Sequence, residues 1–313
     1  PVPGCVLSGR RSLHIGMTLD DDSKTRCKIL IEVLIFCTVS ALSILMEFGV
    51  MPEVQSIGFY CGDPKISQKY LGDTVTLKVL LFSTILLPLF TICSVESSCY
   101  GTRGSSKKTW WPQTLAWYRE YLSGFLIVVF LTCVAKVLVG EPRPHFLDTC
   151  RPFQALNCTS GKFIASYTCT NSEVGSVKMR DASKSFPSAH SALSVYLFIF
   201  SAWYLQRRMV GVSAVLVAWL QVVYLVWALV CCVTRVTDHR HHWWDVLAGV
   251  ALGTVFGVYT VYNFCCNFQV STYRHLHTTA KVPEKSSNHL FKGRLLSSSS
   301  DTTAQGLADV TAT

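Results

Sequence analysis

Residues 210–233 read V-G-V-S-A-V-L-V-A-W-L-Q-V-V-Y-L-V-W-A-L-V-C-C-V, and residues 234–245 read T-R-V-T-D-H-R-H-H-W-W-D. The first stretch carries no charge and is long enough to cross a bilayer as a helix. The second sets Arg235, Asp238, His239, Arg240, His241, His242 and Asp245 directly against it, and another apolar run follows at 243–266. Charged side chains wedged between two such runs are expensive and call for a chemical reason. A chain that leaves a membrane, presents this stretch and re-enters is the reading from which the rest follows.

The whole composition agrees with it. Of 313 residues, 50% are hydrophobic and only 15% charged, with a mean hydropathy of +0.35, against about a quarter charged in soluble domains. Six apolar runs, at 28–48, 74–95, 117–139, 188–205, 210–233 and 243–266, predict an all-α integral membrane protein with six transmembrane helices. The membrane domain is expected over 28–266, between a polar N-terminal segment (1–27) and a Ser/Thr-rich tail (267–313) expected to be disordered. Only Gln206–Met209 joins the fourth run to the fifth, so these two are antiparallel neighbours. Glu32 and Glu47 fall near the ends of the first run and are read as reaching the interface. Residues 1–27 lack an apolar stretch followed by a small-residue cleavage site, so no cleavable signal peptide is expected. The net charge of +9 is spread along the chain without a basic block, which argues against nucleic acid as a partner.

With six spans, both termini lie on one side. Arg10, Arg11, Lys24, Arg26, Arg103, Lys107, Lys108, Arg207 and Arg208 cluster on that side, whereas loop 49–73 holds only Lys65 and Lys69. The excess places the termini in the cytosol and loops 49–73, 140–186 and 234–242 on the lumenal or extracellular face. Asn157-Cys158-Thr159 is a glycosylation sequon on that face. Cys61, Cys150, Cys158 and Cys169 lie there too, where disulfides form; three pairings are open. Cys265 and Cys266 are candidates for palmitoylation or for burial as apolar side chains.

Three polar clusters then share one face. In Lys136–Pro144, K-V-L-V-G-E-P-R-P, two prolines bracket Arg143 and Gly140 permits a turn, so Arg143 can fold back toward Lys136 and form an anion site. In Ser185–His190, S-F-P-S-A-H, Pro187 suits a helix's first turn, with Phe186 or Ser185 as cap. The amides of Ser188, Ala189 and His190 would open toward a phosphate, and His190 could donate a proton to a leaving oxygen. In the opening stretch, His241 and Asp245 are four apart and meet on one face if Trp243 opens a helix. A carboxylate there fixes the imidazole's tautomer, and Arg235 adds a second planar fork. Together these residues supply charge neutralisation, positioning, a nucleophile and an acid, the requirements of phosphoryl transfer. A metal at His239, His241, His242, Asp238 and Asp245 is the competing reading. Consecutive residues diverge at a helix start, no cysteine joins them and the arginines repel a cation, so no metal or other cofactor is expected.

Lys136-x6-Arg143-Pro144, Pro187-Ser188-Ala189-His190 and Thr234-Arg235-x5-His241-x3-Asp245 resemble, in order and spacing, the three signature motifs of the type 2 phosphatidic acid phosphatase superfamily. The six runs and R-P-H-F-L-D-T-C at 143–150 resemble its lipid phosphate phosphatase (phospholipid phosphatase, Wunen-like) family. The resemblance spans roughly 28–266. It implies a metal-independent phosphatase acting on phosphatidate, lysophosphatidate, sphingosine 1-phosphate or ceramide 1-phosphate. His241 would form a phosphohistidine, Asp245 would orient it and His190 would act as general acid and base. Lys136, Arg143, Ser188, Ala189 and Arg235 would hold the phosphate. Such proteins work at the outer leaflet or lumenal face, the plasma membrane being the expected site, and some are homo-oligomers. Two positions depart from the family: Ala189 stands where Gly is usual, and Thr234 where Ser is. A catalytically silent relative, of the phospholipid phosphatase-related kind, is the alternative. A transporter is disfavoured because the polar residues gather at one face rather than at the midplane.

Overall fold

The computed structural model describes residues 21–47, 58–102 and 110–269. The N-terminal segment before residue 21 and the tail beyond 269 lie outside the described residues. Each apolar run forms a long helix: α1 (Asp21–Glu47), α2 (Leu77–Thr102), α3 (Trp111–Val139), α6 (Ala189–Arg208), α7 (Ala214–Thr237) and α8 (Trp243–Tyr259), the last continued by a π turn at Thr260–Phe264. Two short helices, α4 (Phe146–Cys150) and α5 (Ser176–Asp181), sit in the long loop between α3 and α6. The fold is thus that of an all-α integral membrane protein.

Five of the helices, α1, α2, α3, α7 and α8, are long and apolar enough to cross a bilayer by length and composition. Helix α6 differs for a physical reason. It lies at the centre of the bundle, packed against α8, α7, α2 and α3, and Ser191, Ser194 and Ser201 are buried on it. A helix surrounded by protein rather than lipid does not need an apolar surface all round.

The closest packing is that of α8 on α6. Gly249, Gly253 and Gly257 repeat every four residues along α8 and face α6. A Cβ added at Gly249 would lie 2.5 Å from the Ser188 carbonyl, at Gly253 3.0 Å from the Tyr196 amide and at Gly257 2.9 Å from Ile199. The stripe lets the two backbones touch, as small residues do between membrane helices. At its upper end the Ser188 amide donates to the Asp245 carbonyl at 3.1 Å, which ties the starts of α6 and α8 together.

The loops sort by end. At one end, Arg208 pairs with buried Glu96 at 2.8 Å, the Trp203 and Arg207 side chains donate to Asn267, and Phe268 packs against Trp117. Cys265 and Cys266 are buried there beside Phe268, which favours the apolar reading of this pair over lipidation. At the other end stand all three polar clusters. Strands β1 (Phe59–Tyr60) and β2 (Phe163–Ile164) pair antiparallel, Phe59 opposite Ile164. Around them Phe59, Ile66, Phe146, Cys150 and Ala182 form a small core. The four loop cysteines pair as Cys61–Cys158 and Cys150–Cys169. A loop this long has a thin core of its own, and the two cross-links reduce the freedom it has to lose on folding.

Candidate active site

Helix α3 ends where Gly140 adopts a left-handed conformation (φ 62°), its amide closing on the Lys136 carbonyl at 3.1 Å. That turn carries the chain from Lys136 toward Arg143. Helix α6 starts with Ser188 as N-cap, its hydroxyl accepting from the Ser191 amide. The cap is therefore Ser188, not Phe186 or Ser185 as the sequence suggested. Because the Ser188 amide is bound to the Asp245 carbonyl, the open donors of this helix end are the Ala189 and His190 amides. Ala189 is the first helical residue and its φ is negative, so a methyl group there meets no backbone strain.

Lys136, Arg143, Ser188, Arg235, His241 and Asp245 are all buried, and Ala189 and His190 are half-buried. His241 is held at both ring nitrogens. Nδ1 faces the Ser185 carbonyl at 2.7 Å and Nε2 faces Arg143 Nη1 at 3.2 Å. A carbonyl only accepts and a guanidinium only donates, so the proton sits on Nδ1 and the Nε2 lone pair points at Arg143. Asp245 stands beside His241 as its spacing implied, at ion-pair distance rather than hydrogen-bond distance. Its Oδ2 lies 3.7 Å from His241 Nδ1, while it accepts from the Ser185 hydroxyl at 2.5 Å and from the His242 amide at 2.9 Å. As the third residue of α8 it closes a capping box with His242. The tautomer is set by the Ser185 carbonyl, with the Asp245 charge close behind.

Arg143 and Lys136 both act on Glu47, Asp181 and His241, and each is paired with a carboxylate of its own. Arg143 donates through Nε to the Asp181 carbonyl (2.8 Å), through Nη2 to Asp181 Oδ1 (2.6 Å) and through Nη1 to the Arg240 carbonyl (3.0 Å). The other Asp181 oxygen takes Arg240 Nη2 at 2.8 Å. Lys136 Nζ stands 3.4 Å from both oxygens of Glu47, so Glu47 turns inward to a cation instead of outward to the interface. Arg235 pairs with Asp73 at 2.9 Å and Asp238 at 3.2 Å. It shares the Val75 carbonyl with His190 Nε2, at 3.0 and 3.1 Å. Arg235 Nε is buried and has no hydrogen-bond partner among the described residues. His239 turns away to the Lys69 carbonyl, and Trp244 donates to Glu141 at 2.9 Å. Asn157 is exposed on the same end.

The sequence reading gives no role to Asp73, Asp181 or Arg240, and gives Ser185 only that of a candidate helix cap. Asp181 ends the six-residue helix α5 and Asp73 lies in a loop, and neither place shows a periodicity that marks it. Arg240 was visible as a charge in the opening stretch, but its partner Asp181 is 59 residues away.

Burial, then the neighbouring Arg143, lowers the His241 pKa from 6.5 to about 3, although Asp245 pulls the other way. Burial, then Arg143 and Arg240, lowers His145 to about 3 as well. Burial pushes Asp181 upward, but Arg143 and Arg240 outweigh it and hold the carboxyl below its usual range. Both imidazoles are thus neutral in the fold while exposed ones take up protons near pH 6.5. Between about pH 6.5 and 3 the unfolded chain binds more protons, so stability falls as the pH drops through that window, and above it the pair has no effect. The thermal midpoint in detergent should decline from about pH 6.5 to about 4. His145→Gln should make the decline shallower. A midpoint that rises on acidification contradicts this.

A cation has one place among the described residues where three candidate ligands converge: Glu141, His242 and Asp245. The donor chemistry is poor there. His242 Nδ1 lies 3.3 Å from Asp245 Oδ2 and 3.8 Å from Glu141 Oε1, and Asp245 Oδ2 is already taken by the Ser185 hydroxyl and the His242 amide.

The chain matches the PAP2 superfamily over residues 117–265. It is 30% identical over 252 residues to phospholipid phosphatase 1 of Mus musculus, covering 74% of this chain and 87% of that protein. It is 30% identical over 239 residues to phospholipid phosphatase 2 of Bos taurus, covering 74% and 81%. To a Caenorhabditis elegans protein named phospholipid phosphatase homolog 1.2 homolog it is 29% identical over 264 residues, covering 79% and 74%. No solved structure matches it.

Proposed function

The chain belongs to the phospholipid phosphatase family of the PAP2 superfamily, and from that premise we propose that it hydrolyses lipid phosphomonoesters through a phosphohistidine on His241, without a metal. The observation that carries the reading is the neutral His241 whose Nε2 lone pair faces Arg143 in a buried site. When a lipid phosphate enters, Arg143 Nη1 passes from Nε2 to a phosphate oxygen and holds the phosphorus in front of the nucleophile. The Ala189 and His190 amides, Arg235 Nε and Lys136 take the remaining oxygens, and Ser188 keeps the helix end in place.

Nε2 attacks phosphorus and the bond to the lipid oxygen breaks. His190 gives that oxygen its proton, so an alcohol departs. Its Nε2–H is tied to the Val75 carbonyl, so the travelling proton is carried on Nδ1, which takes it up from solvent when the negative phosphate arrives beside it, gives it to the lipid oxygen and regains one from the attacking water. The phosphorylated imidazole is cationic, and the Ser185 carbonyl and the Asp245 charge stabilise it. Water then attacks phosphorus, His190 accepts its proton, and inorganic phosphate leaves with His241 restored. Phosphatidate, lysophosphatidate, sphingosine 1-phosphate and ceramide 1-phosphate share the group this sequence of steps needs. The charge bias of the loops supports cytosolic termini and an extracellular or lumenal site, the sequon on that face supports a glycan on Asn157, and a plasma-membrane location follows from the family resemblance.

Phosphate release from lysophosphatidate by detergent-purified protein, with and without a strong chelator, tests the reading. Equal release in both is expected. No release under any lipid condition refutes the phosphatase, and loss of release in chelator refutes the metal-free route.

A further inference from the structure

The end of α1 is gripped by two buried lysines. Lys136 holds the Glu47 carboxylate by both oxygens at 3.4 Å, and Lys184, also buried, donates to the Met46 carbonyl at 3.1 Å. Lys136 is one of the charges that depress His241 and Asp181, so it acts on the reaction centre while its ammonium is paired with a carboxylate. Glu47 is itself 38% exposed at its side chain, against 6% for Lys136, so the acid is the more accessible partner. A carboxylate standing on a phosphate-binding cation is a competitor for it.

We propose that Glu47 is a specificity-determining residue: it occupies Lys136 until a dianion displaces it, so the site admits phosphomonoester lipids and excludes the phosphodiester lipids of the surrounding bilayer. The inference rests on the phosphatase reading above. Its physics is a charge exchange. A phosphomonoester near neutral pH carries close to two negative charges, so replacing Glu47 by it gains about one charge at Lys136. A phosphodiester carries one, and replacing a carboxylate by it gains nothing while leaving Glu47 without its partner. An enzyme embedded in diester lipid needs such discrimination, because its competitors are its solvent. Lys184 keeps Glu47 in register by holding the preceding carbonyl.

The test compares wild type with Glu47→Gln and with Lys184→Met, which loosens the end of α1 without touching Lys136. Binding of lysophosphatidate and of lysophosphatidylglycerol, a diester with one chain, is measured by tryptophan fluorescence in mixed micelles, beside turnover of the former. Glu47→Gln is expected to tighten diester binding about tenfold and to turn the diester into a competitive inhibitor. Lys184→Met should move the ratio the same way by a smaller factor. If Glu47→Gln does not fold, the lysine variant decides alone. An unchanged monoester-to-diester ratio in the folded variants overturns the proposal. Should wild type bind but not turn over lysophosphatidate, the phosphatase reading fails separately, and the binding ratio still decides the role of Glu47.

Discussion

His241→Ala is expected to abolish phosphate release, lowering kcat by at least ~10^3-fold while the protein stays folded. The size follows from the geometry. His241 Nε2 is the ring nitrogen left with a lone pair, and it points at Arg143. Alanine removes the atom that would bond to phosphorus, and nothing adjacent replaces it. His242 is turned onto Trp244, ring centroids 4.4 Å apart, and His239 bonds a loop carbonyl. The check is single-turnover release from lysophosphatidate by purified wild type and variant, with matched thermal midpoints. Release by the variant within tenfold of wild type would remove His241 from the reaction.

The second large effect is expected from Arg143→Lys, a fall in kcat of roughly 10^2-fold or more with the charge conserved. Arg143 makes four directed contacts at once: two to Asp181, one to the Arg240 carbonyl and one to His241. A lysine ammonium is a point charge on a flexible stem and cannot keep Asp181 while also reaching Nε2. Asp181 would still hold Arg240, so the loop should stay folded and the loss should appear in kcat more than in stability. A variant with kcat within threefold of wild type would mean that charge alone suffices at this position.

The sequence displayed the membrane helices well because twenty apolar residues in a row have few other uses. It showed their ends less well. Helix α1 starts at Asp21 and α2 runs on to Thr102, since a helix can leave the bilayer before it stops. The exceptional helix, α6, was read as one more span; its serines signal a position inside the bundle. The glycines of α8 stood every four residues in plain view, but their meaning depends on what faces them.

For the site, the cations and histidines were conspicuous because each is costly in an apolar chain. Their carboxylates were not. Asp73 is 162 residues from Arg235 and Asp181 is 38 from Arg143, and an acid in a polar loop looks like any other. Glu47 was misread for the same reason, its partner being 89 residues away. Asp245 shows the opposite case. Spacing of four correctly placed it near His241, but a helix's third residue also serves the helix end, and capping took its oxygen first.

The central claim is that His241 carries the phosphoryl group. Rapid quenching of wild type with lysophosphatidate labelled at phosphorus, followed by peptide mapping under alkaline conditions, tests it most directly. The account predicts label on His241, stable to alkali and lost in acid, and absent from His241→Ala. Label on another residue, or turnover with no labelled protein at any quench time, would contradict it.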